Sequence, residues 1–118
     1  MSRNRIAVVV GVLLVFAIVG AIIVLGSQHR GQDVTINVTV TGGKTMTHSD
    51  LSAHQNDTVT IKVTSDTDGE VHLHVYDIAL AAKAGQTTSH TFKADKTCGC
   101  DIEWETTSTP LGRLVVSP

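Results

Sequence analysis

Two short spacings are where this sequence could do chemistry. His72-Leu73-His74 sets two imidazoles two residues apart. On a strand they project from one face, a geometry that can chelate Cu(II) or Zn(II), and Glu70 shares that face. Two ligands make a weak site, and the competing reading is a solvated strand face with Val71, Leu73 and Val75 turned to the core. Cys98-Gly99-Cys100 is the second spacing. Extended geometry puts cysteines at such a spacing near the limit of about 7 Å between Cα atoms that a disulfide allows, so Gly99 must supply a turn. Three roles stay open for the pair: a structural or reducible disulfide, soft-metal binding through two thiolates with His72 or His74, and thiol exchange. Lys96 is the one basic neighbour able to lower a thiol pKa. The candidate metal ligands are therefore His72, His74, Cys98 and Cys100, and the candidate disulfide joins Cys98 to Cys100.

The remaining histidines are scattered. Met46, His48 and His54 read as a flexible polar stretch, and His90 as part of a solvated strand. No nucleophile–base–orienter signature, phosphate-binding glycine loop or His-Glu-x-x-His helix occurs, so the sequence points away from an enzyme.

The elements that must position these residues are strands. Val34, Ile36, Val38 and Val40 alternate with Thr35, Asn37, Thr39 and Thr41, ending at Gly42-Gly43. Val59, Ile61 and Val63 alternate with Thr58, Thr60, Lys62 and Thr64 after the turn signal Asn56-Asp57. Residues 71–76 repeat the pattern, and Thr87 to Phe92, Cys100 to Glu105 and Arg113 to Val116 supply three more runs. Such period-2 segments broken by turn residues predict an all-β Greek-key sandwich of about seven strands. Ala79 to Ala84 is the only stretch that could be helical.

One further element is of a different kind. Ile6 to Leu25 is an uncharged apolar run, and a helix of that length spans roughly the 30 Å of a bilayer's hydrocarbon core. Arg3 and Arg5 before it predict a single-pass anchor in the cell membrane with the N-terminus in the cytoplasm and the domain outside. A cleaved signal peptide is the rival; the run is longer than that reading favours, and Val24-Leu25-Gly26 is a poor cleavage site. The expected organisation is a cytoplasmic segment 1–5, a transmembrane anchor 6–25, a linker 26–32 and a β-domain 33–118. From Gly31 onward six Lys/Arg stand against eleven Asp/Glu, a net charge of −5. That balance predicts no nucleic-acid partner, leaving the membrane, through Ile6–Leu25, and an unidentified envelope protein.

From Leu51 onward the order of landmarks resembles the cupredoxins. Asn56-Asp57-Thr58-Val59-Thr60-Ile61 looks like their strand opening, and Glu70 to Asp77 is similar to a segment of a divergent bacterial group of them. Ala84-Gly85-Gln86, Thr91 to Ala94, and the closing Leu111-Gly112-Arg113-Leu114-Val115-Val116 follow in order. The resemblance places His72 on the first copper-ligating histidine, pointing inward, against the alternation of the strand itself. It also implies a cysteine ligand where this chain has Trp104, and a histidine and methionine after it, where the chain has neither. The resemblance therefore implies the scaffold without type 1 electron-transfer copper. Two function classes remain: a tethered module binding copper or zinc, and a metal-free structural or interaction domain.

Overall fold

The computed structural model describes residues 30–118; the expected anchor at Ile6–Leu25 and residues 26–29 of the expected linker lie outside the described residues. Gly31–Pro118 forms a compact unit. Its strands are β1 (Asp33–Thr41), β2 (Thr45–Met46), β3 (Asp50–His54), β4 (Thr58–Ser65), β5 (Gly69–Leu73), β6 (Ile78–Ala82), β7 (Gln86–Lys93), β8 (Cys98–Trp104) and β9 (Thr109–Ser117), with a 3-10 turn at Glu105–Thr107 before the last. They form two sheets, ordered β2-β1-β4-β7 and β3-β9-β8-β5-β6. The β1–β4 and β3–β9 pairs are parallel, and the other ladders are antiparallel.

The alternating strands bury one face each. Val38 and Val40 of β1 and Val59, Ile61 and Val63 of β4 face Val71, Leu73, Ile102 and Leu114 across the core. The void left between the sheets is about 10 Å³ and lined only by apolar side chains, at the lower limit for a single water, so it stays dry. Asp57 is a buried carboxylate in this structure. It accepts the backbone N–H of Gln32 at 2.9 Å and of His54 at 2.8 Å, tying the start of β1 to the end of β3.

The described residues hold nine strands where about seven are expected from sequence, three of them beyond the six runs named there. Two of the additions, β2 and β3, are short and carry mixed residues between turns. The third is β6, on the stretch with helical composition. Ile78, Leu80 and Ala82 are buried while Ala79 and Ala81 are exposed, and pairing with β5 along its full length satisfies a period of two. Alanine's helical propensity is a fraction of a kcal/mol per residue and yields to that burial. The β5 strand ends at Leu73, not Tyr76. Val75 turns outward with φ 73° and is 54% exposed, so it does not join Val71 and Leu73 in the core.

Candidate metal centre

Strand β5 carries His72 on the outer face of its sheet, because Val71 and Leu73 occupy the inner one. The alternation of the strand therefore prevails over the inward placement implied by the family resemblance. Residues 74–77 link β5 to β6 with two left-handed residues, Val75 (φ 73°) and Asp77 (φ 52°). A β-branched residue rarely adopts that conformation, and such strain gathers at functional sites. The turn is anchored through Tyr76, whose hydroxyl donates to the Lys96 carbonyl and accepts the Lys96 N–H.

This turn folds His74 and Asp77 back onto His72. The His72 and His74 rings lie 4.5 Å apart, edge to face. His72 Nε2 is 2.9 Å from Asp77 Oδ1, and Nδ1 is 3.3 Å from Glu105 Oε2. His74 Nε2 is 3.5 Å from Glu103 Oε1. The hydrogen bond to Asp77 raises the His72 pKa above its ordinary value; burial opposes the shift, and the charges of Glu105, Asp77 and Glu103 add to it.

Glu103 arrives from β8, directly opposite His72 in the antiparallel ladder. One ligand atom each from His72, His74 and Glu103 falls within 4.8 Å of the others. Two imidazoles and a carboxylate form a donor set that zinc and Cu(II) accept. The register between β8 and β9 slips beside Glu103: Ile102 faces Gly112 and Glu103 faces Pro110, which leaves Leu111 as an extra residue. Bulges of this kind re-aim side chains next to sites. Pro110 and Gly112 help line an open cleft of about 420 Å³ that also touches His74, Asp101 and Glu103.

The four residues singled out by sequence do not converge. Cys98 and Cys100 form a disulfide with Cα atoms 5.3 Å apart, shorter than the extended spacing and within the range a disulfide allows. They lie on the inner side of β8 with Ile102 and Trp104, and Cys100 is fully buried. Glu103 is on the outer side, so strand alternation separates the sulfurs from the histidines and the thiolate–imidazole site is not assembled. Glu70, expected to support the pair, is not in the group, and Glu103 takes that part. Met46 is in the core and His48 and His54 are exposed. Sequence reasoning missed Glu103, Asp77 and Glu105; Asp77 lies five residues from His72 and was within reach of a turn argument, whereas the two glutamates depend on strand register.

Trp104, which stands where the resemblance implies a cysteine ligand, is buried between Gly43 and Gly69.

No protein-family model matches the chain, and no curated protein matches it. Solved structures do share its fold. A copper binding protein determined by NMR in the apo form aligns with a TM-score of 0.60 at 13% identity, covering 75% of this chain and 91% of that one. Auracyanin A, a blue copper protein from Chloroflexus aurantiacus, aligns with a TM-score of 0.54 at 16% identity, covering 71% of this chain and 98% of that one. A chain of a heme-copper terminal oxidase dimer aligns with a TM-score of 0.57 at 11% identity over 98% of this chain and 99% of its own length. These likenesses are of fold. The domain is a cupredoxin-like β-sandwich, without an evident full type 1 copper ligand set among the described residues.

Proposed function

We propose that this protein is a membrane-tethered, extracytoplasmic cupredoxin-like module that binds a copper or zinc ion through His72, His74 and Glu103. The observation that carries the reading is the convergence of those three ligand atoms within 4.8 Å, from β5, the turn after it and the neighbouring β8, whose Glu103 sequence alone does not bring to the histidine pair. The strained turn at Val75 and the hydrogen bond that His72 Nε2 donates to Asp77 support it, since both hold the histidines in place. Type 1 electron transfer is not part of the proposal, because Trp104 stands in place of the cysteine and no histidine or methionine follows it. The tether and its orientation rest on the apolar run Ile6–Leu25 with Arg3 and Arg5 before it. The end-to-end likeness to a chain of a terminal oxidase dimer favours a second reading, a metal-free contact module within an envelope assembly.

Titration calorimetry of the detergent-solubilised full chain with Zn(II) and Cu(II) separates the two. Binding of one equivalent that is lost in the His72→Ala/His74→Ala double variant supports the metal reading. Heat absent from wild type, or unchanged in the double variant, leaves the contact module.

A further inference from the structure

We infer that the ion at this site is held through Nδ1 of His72, with Asp77 as a positioning residue behind the ring and Glu105 as a fourth ligand, so that the site takes divalent zinc or copper and not Cu(I). The inference rests on the metal reading above and specifies its ligand atoms.

The tautomer of His72 follows from its partner. Nε2 lies 2.9 Å from Asp77 Oδ1, and a carboxylate there accepts the Nε2 proton. In the neutral ring that leaves the lone pair on Nδ1. Nδ1 is buried and makes no hydrogen bond, although Glu105 Oε2 is 3.3 Å away. Native structures seldom leave such an atom unmatched, and a bound ion is one reason they do. Histidine ligands commonly give their other ring N–H to a carboxylate, which fixes the ring and raises its basicity. Asp77 stands in that relation to Nδ1.

The distances suit a small ion. Four ligand atoms about 2.0–2.2 Å from a tetrahedral centre lie about 3.3–3.6 Å from one another. His72 Nδ1 to Glu105 Oε2 is 3.3 Å and His74 Nε2 to Glu103 Oε1 is 3.5 Å. Each nitrogen–oxygen pair thus has the length of one edge, while the three atoms already within 4.8 Å of one another are those of His72, His74 and Glu103. Glu105 is half exposed at the 3-10 turn, free to swing its carboxylate toward the other pair. Two imidazoles and two carboxylates, with no thiolate or thioether, favour borderline divalent ions over soft Cu(I).

The test uses the detergent-solubilised full chain with ring-15N histidine and Zn(II). Long-range proton–nitrogen correlation is expected to show His72 metallated at Nδ1 and protonated at Nε2. Asp77→Asn is expected to weaken Zn(II) binding on the order of 10- to 100-fold, with Asp77→Glu restoring part of it; Glu105→Gln is expected to weaken it similarly. Asp77 is almost fully exposed and Glu105 half exposed, neither packed in the core, so these variants keep the fold. Zn(II) bound at Nε2 of His72, with neither variant altering affinity, overturns the inference and leaves the metal reading intact. Tighter binding of Cu(I) than of Zn(II) at the same histidines overturns the divalent assignment. A wild-type chain that binds no Zn(II) or Cu(II) overturns both.

Discussion

Gly69 and Trp104 share one volume: a Cβ on Gly69 would lie 2.1 Å from Trp104 Cζ2. The indole lies against both the start of β5 and Gly43, where a Cβ would come within 2.5 Å of Nε1. This bulky core residue sits in the ladder beside the pair His72 and Glu103, opposite Val71.

Replacing Gly69 with alanine therefore forces the indole or the backbone to move. The improved strand propensity of alanine is worth a few tenths of a kcal/mol, whereas overpacking costs about 1–3 kcal/mol, so the clash wins. Chemical denaturation of Gly69→Ala is expected to show a loss of that size. Gly99→Ala is the control: its Cβ would meet the end of the exposed Arg113 side chain at 2.3 Å. That guanidinium can swing away, and the change is expected within about 0.5 kcal/mol.

Trp104 is the only tryptophan in the chain and lies one position from Glu103 on β8, in register with Val71. Cu(II) at the proposed centre is expected to quench its fluorescence, while Zn(II) leaves the intensity nearly unchanged and competes the quenching away. Glu103→Gln is expected to weaken the Cu(II) response, and His72→Ala/His74→Ala to abolish it. Equal quenching in the double variant would place the copper elsewhere.

The raised pKa of His72 gives two pH dependences of opposite sense. Asp77 favours the imidazolium. Without metal, the stability contributed by that pair is complete below the ordinary histidine value of about 6.5 and is lost as pH rises through the higher folded value. Asp77 is almost fully exposed, so solvent screens the pair and the effect is small. Metal affinity runs the other way, since protons compete for the same ring and binding strengthens as pH rises through that value. Denaturation midpoints and Zn(II) affinities measured across pH 5–9 check both signs, and Asp77→Asn is expected to flatten the first curve.

The Cys98–Cys100 ring is too small to constrain the unfolded chain much. The chain-entropy relation gives about 1.5 kcal/mol for so short a loop. Reduction is expected to lower Tm by roughly 6–12 °C for a domain of this size and to leave Zn(II) affinity unchanged, because the sulfurs face the core. A change in Zn(II) affinity on reduction would contradict that separation. Cys100→Ser is expected to be worse than reduction, since it sets a hydroxyl at a fully buried apolar position.

Much of this protein is legible in its residues taken in order. The alternation Val34–Val40 and Val59–Val63 dictates strands with one buried face, because side chains on a strand point to opposite sides whatever the rest of the chain does. The missing cysteine, histidine and methionine after Asp101 bear on the type 1 copper question without any coordinates. His72 and His74 stand out as a pair for the same local reason. What tertiary structure decided is everything that depends on which strand lies beside which. Ala79–Ala82 became a strand only because β5 offered an edge to pair with. Glu103 reached His72 through a ladder spanning 31 residues of sequence, and the bulge at Leu111 shaped its surroundings. The same strand that delivered Glu103 turned Cys98 and Cys100 to the opposite side. Periodicity is a property of neighbours along the chain; register is set by the long-range fit of two buried faces, and no local pattern contains it.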